Sequence, residues 1–301
     1  MAFPSAYDVV ILGTGPAGLQ AAIHAARKKV SVLVLGKESK SSLFHAHIEN
    51  FCCIFNVSGE DILRTGRKQA ADFGSRFLEE DILNITQTED GFVLRTESGT
   101  DITAKSLLVA TGTARNKLGV PGEKNLLGKG VSYCVDCDGN FYKDQVVAVV
   151  GAESAAVDGA LTMLSIAREV HLIFDELKVT PALEEKLRSS QIKLHDQAKV
   201  KQIVGEGEVE KLVMEDGREI PVNGVFIELG AKGMMELAMT LGIELDDEMR
   251  HIKTDKKQAT SIEGIFAAGD ICGPPWQMAK AVGEGCVAGI NAATFAKKRR
   301  A

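Results

Sequence analysis

Tyr7-Asp8-Val9-Val10-Ile11-Leu12 is a nearly unbroken apolar run, the pattern of a strand buried on both faces of a parallel sheet. A glycine-rich turn follows, Gly13-Thr14-Gly15-Pro16-Ala17-Gly18, and the apolar spacing then changes to the 3.6-residue period of an Ala-rich helix over 19–27. A second apolar strand is predicted over 30–35. The same order returns in the middle of the chain. Val146-Val147-Ala148-Val149-Val150 is the strand and Gly151-Ala152-Glu153-Ser154-Ala155-Ala156 the turn. A helix running through residue 164 then leads to a strand over 169–174. Between the two units, residues 91–96 and 99–108 read as a β-ribbon that runs into Ala110-Thr111-Gly112. A strand over 264–270 and a Gly- and Ala-rich helix over 278–295 complete the pattern. The repeated strand–turn–helix–strand order predicts an α/β chain with two Rossmann-like units.

The first unit carries the dinucleotide fingerprint in the context it needs. Gly13 makes the turn, Gly15 lets the backbone approach a pyrophosphate at the helix N-terminus, and Gly18 allows close helix packing. Glu38, about 20 residues on, can bind a ribose hydroxyl. Pro16-Ala17 inside the motif leans toward FAD, with NAD left open on this motif alone. Asp270, at the end of the late strand, is placed to bind a ribityl hydroxyl. Ala279, Ala281, Gly283 and Gly285 in the last helix suit the close approach of a ring system or of another helix. The second unit departs from the fingerprint. Glu153 stands at the second glycine, where a carboxylate would crowd and repel a pyrophosphate. Asp175-Glu176 follow the next strand with no arginine to receive a 2′-phosphate, although Asp175 could bind a plain ribose. The unit is Rossmann-like by fold and a poor NADPH site.

At 301 residues and 45% hydrophobic, the chain has the size of two ordinary domains. Its net charge of −6 gives no support for a nucleic-acid partner, and Lys297-Lys298-Arg299-Arg300 reads as a solvated helix end. No apolar run reaches about 18 residues, so no membrane span is expected. No charged and then apolar leader is seen, so no signal peptide is expected, and six cysteines in a chain this long do not make a disulfide scaffold, so a reducing, cytoplasmic setting is expected. Among six cysteines, only Cys134 and Cys137 have redox spacing. Two thiols three residues apart can close a disulfide on one helical turn, and the adjacent Asp136 and Asp138 suit a pair whose protons come and go with its electrons. Cys272 and Cys286 are isolated. Cys52-Cys53 read as two thiols near the core whose pairing would make a strained ring. No second C-x-x-C or spaced histidine pair completes a metal site, so none is expected. His45 and His47 read as exposed loop residues, and His24, His171, His195 and His251 lie scattered, with no triad or metal spacing. Trp276 suits stacking on an aromatic cofactor, though a lone loop tryptophan more often packs.

Five segments appear in order at family-like spacing: Gly13 to Gly18, Glu49-Asn50-Phe51, Ala110-Thr111-Gly112, Tyr133-Cys134-Val135-Asp136-Cys137-Asp138-Gly139 and Ala267-Ala268-Gly269-Asp270. On these the chain resembles a low-molecular-weight thioredoxin reductase from end to end. The resemblance implies two Rossmann-like FAD/NAD(P)-binding domains of three-layer ββα type, the second inserted into the first. FAD-binding parts would cover 1–115 and 245–301, with an inserted NADPH-type domain carrying the cysteines over 116–244. It implies FAD contacts from Gly13, Gly15, Pro16, Ala17, Gly18, Glu38, Asn50, Thr111, Gly112, Gly269, Asp270, Gln277 and Met278. Cys137 would face the flavin, Cys134 would be the thiol exposed to attack the substrate disulfide, and Asp138 would be the acid–base residue. The family's inserted domain swings, which makes residues 117–122 and 230–233 candidate hinges. A homodimer and a thioredoxin-like partner are implied likewise.

Departures from the family pattern fall at the nicotinamide site. The usual Gly-Gly-Gly is Gly151-Ala152-Glu153, and the usual His-Arg-Arg is Phe174-Asp175-Glu176. Elsewhere Cys52-Cys53 replaces a common Pro-Gly, Lys40-Ser41 a Gly-Gly, and Trp276-Gln277 an Arg-Gln. Thioredoxin-reductase-like flavoenzymes with similar losses take electrons from ferredoxin, from a reduced deazaflavin, or through a second flavin in the altered site. The leading expectation is therefore an FAD disulfide oxidoreductase reducing a thioredoxin-like protein from a donor other than NADPH. The alternatives are an ordinary NAD(P)H-dependent thioredoxin reductase, an oxygen-dependent dithiol oxidase, and a flavin redox sensor without turnover.

Overall fold

A computed structural model describes residues 5–112, 117–229, 240–247 and 250–299. The chain divides into two compact units. Met1–Thr96, Thr100–Thr113 and Leu237–Ala301 form one, and Glu97–Gly99 with Ala114–Glu236 form the other. The second interrupts the first in sequence. The candidate hinge at 230–233 lies outside the described residues.

In the first unit, strand Ala6–Leu12 lies between Val32–Leu35 and Asp101–Val109 and runs parallel to both; Arg76–Leu78 extends the sheet past Val32–Leu35. Asp101–Val109 is the branch point. Its first residues pair antiparallel with Gly91–Thr96, which is hairpinned to Ile82–Thr88. Its last three pair parallel with Ile265–Ala267. One nine-residue strand thus joins a parallel sheet to an antiparallel ribbon. Helix Pro16–Arg27 starts three residues before the predicted 19–27, because Pro16 at the first helical position needs no N–H partner. Strand 30–35 shortens to Val32–Leu35, since Lys29 takes a left-handed φ of 59° and delays the extended run. The last helix reaches Lys298, and Gly285 and Gly289 lie against the Ala17 and Ala21 backbone, where a Cβ would collide. Close helix–helix approach therefore accounts for these two small residues. Ala21, Ala22, Ala288 and Ala292 are fully buried along that seam.

The second unit holds a five-stranded parallel sheet in the order Lys193–His195, Glu169–Ile173, Val146–Val150, Gly224–Ile227, Val131–Ser132. A three-stranded antiparallel sheet, Val200–Val204, Lys211–Met214 and Glu219–Pro221, accompanies it. Ala148, Leu212 and Val225 are fully buried in their common core. Among the described residues, no helix is long and apolar enough to cross a membrane.

Two readings of single residues change. Cys52 and Cys53 are exposed and not near the core, because they form the middle of a tight turn between Phe51 and Ile54. Such turns sit at the surface, where water satisfies their backbone. Trp276 is 62% exposed, so simple packing does not explain it.

Candidate active site

The first unit builds a cradle from backbone. Gly13 has φ 118° and its N–H donates to the Leu35 carbonyl at 2.8 Å; a Cβ there would run into the Ala110 carbonyl. Gly18 lies against the Gly13 carbonyl in the same way. Gly15 is the N-cap of Pro16–Arg27, with extended backbone, no side-chain cap and no acidic residue in the first turn. Its amide end is thus left for an anion, the arrangement that holds a pyrophosphate. A Cβ on Gly15 would meet only the Ser41 Oγ, at 3.3 Å. Gly112 has φ 72° with open space beside it, directly after exposed Thr111.

Glu38 opens a short 3-10 turn, Glu38–Lys40, one residue after Lys37, at the place a ribose-binding carboxylate occupies. Arg67 approaches it at 3.7 Å and donates to Glu79 at 2.6 Å. Gly269 takes φ 87°, and Asp270 starts the turn Asp270–Cys272, which ends the predicted 264–270 strand at Ala267. Burial raises the Asp270 carboxyl above the ordinary range, with Lys280 opposing and Glu284 adding to the rise. Sequence reasoning missed Lys280 and Glu284. Glu284 accepts from the Gly269 amide at 2.8 Å, and Lys280 Nζ donates both to the Gly269 carbonyl at 2.9 Å and to Glu284 at 3.0 Å. Their i,i+4 spacing in a helix otherwise rich in Gly and Ala was the available signal. Asn50 Nδ2 donates to Gln277 Oε1 at 3.1 Å, which brings those two expected contacts together. Gln277 caps the last helix and Met278 begins it.

The second unit holds the redox pair. Cys134 and Cys137 are joined as a disulfide, with Cα atoms 5.3 Å apart. Cys134 is the N-cap of the short helix Val135–Asp138, and its Sγ accepts from the Cys137 amide at 3.1 Å. In the closed disulfide Cys137 is exposed and Cys134 half-buried, the reverse of the exposure expected for an attacking Cys134. Two further residues hold this turn. Buried Ser132 donates to Asp138 Oδ2 at 2.6 Å and accepts from the Cys134 amide at 3.1 Å. Buried Glu228 accepts from the Val135 amide at 3.1 Å. Glu228 follows a strand more than 90 residues away in sequence, which hid it from local motifs. Gly139 and Gly159 keep the helix seated, because a Cβ would press on Met163 Sδ or on Val135 Cγ2. Glu123 accepts from the Tyr133 hydroxyl at 2.6 Å and from the Leu118 amide at 3.0 Å, tying part of the candidate hinge at 117–122 to the residue before Cys134.

In the altered fingerprint, Gly151 has φ 153° and its Cβ position is filled by the Glu228 carbonyl, so the turn keeps the Rossmann backbone. Glu153 is the N-cap of Ser154–Met163 and makes no side-chain cap. Asp175 is exposed and ion-paired with Lys199 at 3.2 Å; Glu176 is exposed. The histidines judged scattered are not all so. His171 and His195 stand on adjacent parallel strands, with His171 Nδ1 and His195 Nε2 at 2.8 Å, and His171 Nε2 lies 2.7 Å from Glu169.

The pyridine nucleotide-disulphide oxidoreductase family matches residues 7–285. A thioredoxin reductase from Treponema pallidum (strain Nichols) is 33% identical, covering 96% of this chain and 97% of that protein. The atypical thioredoxin reductase TRi from Desulfovibrio vulgaris Hildenborough is similar in structure, with TM-score 0.84 and 34% identity over 97% of this chain and 98% of that one. A ferredoxin-flavin thioredoxin reductase from Clostridium acetobutylicum matches with TM-score 0.69 and 31% identity, over 96% of this chain and 97% of that one.

Proposed function

From membership of the pyridine nucleotide-disulphide oxidoreductase family, to which this chain belongs, we propose an FAD-dependent reductase of a thioredoxin-like disulfide that draws electrons from a donor other than NADPH. Glu153 carries the donor part of the reading. It puts a carboxylate at the one helix N-terminus where a nicotinamide cofactor's pyrophosphate would have to sit. At about 4 Å, like charges oppose each other by several kcal/mol at a protein surface. Asp175 and Glu176 add negative charge where a 2′-phosphate would be received. The likeness to a ferredoxin-flavin thioredoxin reductase supports a ferredoxin as donor, with a reduced deazaflavin or a second flavin as the other options.

FAD fits the first unit. Gly13, Gly15, Pro16, Ala17 and Gly18 would hold its pyrophosphate, Glu38 a ribose, and Asp270 the ribityl chain; Asn50, Thr111, Gly112, Gly269, Gln277 and Met278 would line its path. When bound, FAD supplies two-electron transfer to the Cys134–Cys137 disulfide. The resulting dithiol reduces the substrate by exchange. Cys134 attacks one substrate sulfur as thiolate, the substrate disulfide breaks, and Cys137 resolves the mixed disulfide, which restores Cys134–Cys137 and releases a substrate dithiol. The amide that donates to Cys134 Sγ favours its thiolate, and Asp138, oriented by Ser132, handles the proton. Homodimeric assembly and a cytoplasmic setting belong to the same proposal.

Anaerobic mixing with NADPH, and separately with reduced ferredoxin, tests the reading by the bleaching of the flavin band. Fast bleaching by micromolar NADPH would leave an ordinary thioredoxin reductase. Hydrogen peroxide produced from added dithiol and oxygen would favour the oxidase instead.

A further inference from the structure

Cys52 and Cys53 occupy the two central positions of a turn closed by the Ile54 amide on the Phe51 carbonyl at 3.0 Å. Cys53 has φ 68°, a left-handed conformation that a residue with a Cβ adopts at a cost and that Gly adopts freely. The turn would accept Pro-Gly without strain. Two cysteines stand there instead, both exposed, with Sγ atoms 3.6 Å apart.

That spacing suits one chemistry better than another. Adjacent Cα atoms are about 3.8 Å apart, below the ~4.4–6.8 Å that a disulfide normally spans, so the pair resists closing on itself. Two bonds of about 2.3 Å to one soft centre, the zinc–thiolate length, hold their sulfurs about 3.8 Å apart at a tetrahedral angle and about 3.5 Å apart at the ~100° angle of a pyramidal trivalent centre. The observed separation already matches such a chelate. Among the described residues, no group of three or more Cys, His, Asp or Glu side chains converges to hold a metal ion, so a closed four-ligand metal site is not formed. The ligand must therefore need only two protein atoms.

We propose that Cys52 and Cys53 form a bidentate dithiol site for a thiophilic centre with two exchangeable positions, of which a monosubstituted trivalent arsenical is the type. Capture forms two As–S bonds and breaks two As–O bonds. Two thiol protons leave with two hydroxyls as water, and no oxidation state changes. The site uses neither thiol of the catalytic pair and does not depend on the identity of the electron donor.

Phenylarsine oxide tests this on the full chain as purified, with Cys134–Cys137 closed and four thiols left free: Cys52, Cys53, Cys272 and Cys286. Burial pushes the Cys272 thiol up to about 12, which keeps it unreactive. One equivalent of probe should remove two titratable thiols per chain, and a small dithiol should restore them. Cys52→Ser or Cys53→Ser should weaken binding by about 10²–10⁴-fold, because the second bond is no longer intramolecular. The double change Cys52→Pro, Cys53→Gly suits the turn, so it keeps the fold while removing both thiols; it should abolish capture. Unweakened uptake by that variant, or by either single serine variant, would overturn the proposal.

Discussion

Gly283 and Gly285 stand two residues apart in the same helix and should respond to alanine in opposite directions. A Cβ at Gly283 meets nothing within 4 Å, and the residue is exposed. Gly283→Ala therefore gains only the helix preference of Ala over Gly, about 1 kcal/mol. Gly285→Ala gains the same preference, but its Cβ would stand 2.9 Å from the Ala17 Cα and closer still to the Ala17 carbonyl oxygen. The obstacle is backbone in another helix, so no rotamer change relieves it. Overpacking of this kind costs about 1–3 kcal/mol, and a rigid backbone obstacle belongs at the upper end. The net loss is then about 2 kcal/mol. For a unit of this size, Tm should fall by about 4–8 °C for Gly285→Ala and rise by about 2–4 °C for Gly283→Ala. Because Ala17 lies in the proposed flavin turn, the flavin-to-protein absorbance ratio of purified Gly285→Ala should fall as well. Differential scanning calorimetry with that ratio checks both. A Gly285→Ala protein at or above the parent Tm would refute the close helix approach on which the cradle depends.

Glu123 couples stability to pH in the acid range. Burial pushes its carboxyl up, but hydrogen bonds from Tyr133 and from the Gly119 and Leu118 amides outweigh burial and hold it below 4.5. Its contribution is therefore complete above about pH 4.5 and lost as pH falls through the lower folded value, and urea midpoints of Glu123→Gln should lack that step. Burial lowers His171 and His195 below 6.5, with each histidine's charged neighbours adding to or opposing the shift. The unfolded chain then takes up protons near pH 6.5 that the folded chain refuses, so stability should fall on acidification from about pH 6.5 to the folded values. His195→Asn should reduce that slope, and an unchanged slope would remove the pair as its source. Ser132→Ala should lower kcat for disulfide reduction about ten-fold with little change in KM, and Ser132→Thr should restore it. Cys137→Ser should trap a mixed disulfide with the substrate through Cys134, visible by non-reducing electrophoresis; trapping by Cys134→Ser instead would reverse the two roles.

What the sequence made legible was whatever is local. Gly13, Gly15 and Gly18 act on the backbone within six residues, and Cys134, Cys137 and Asp138 lie on one turn of chain, so spacing alone exposed both motifs. The residues that went unseen act across the fold. Glu228 reaches Val135 from the end of another strand, and Glu284 reaches Gly269 from the far side of a loop. His171 and His195 meet only because their strands pair in parallel with Ile173 opposite His195. No period or spacing encodes a sheet register 24 residues apart. Cys52-Cys53 failed for a different reason: cysteine is usually buried, and that tendency says nothing about a turn whose surface position is set by backbone closure.

The same distinction bears on how the two halves of the chemistry should tolerate change. Around the disulfide, Ser132 and Glu228 hold the amides and the carboxylate that exchange requires, and each is buried with a partner. Loss of either leaves a buried polar group unmet, at a cost of about 1–3 kcal/mol. At Ser154–Met163, by contrast, the turn keeps its Rossmann backbone through Gly151 while Glu153 sets the charge that the turn presents. Glu153→Gly should keep the helix start, because Glu153 makes no side-chain cap there and Gly lies within tenths of a kcal/mol of the preferred N-cap residues. It should also raise the rate of flavin reduction by NADPH from its low starting value. If reduction stays equally slow while the helix remains intact, charge at residue 153 is not what excludes the nicotinamide cofactor, and Asp175 with Glu176 becomes the next pair to neutralise.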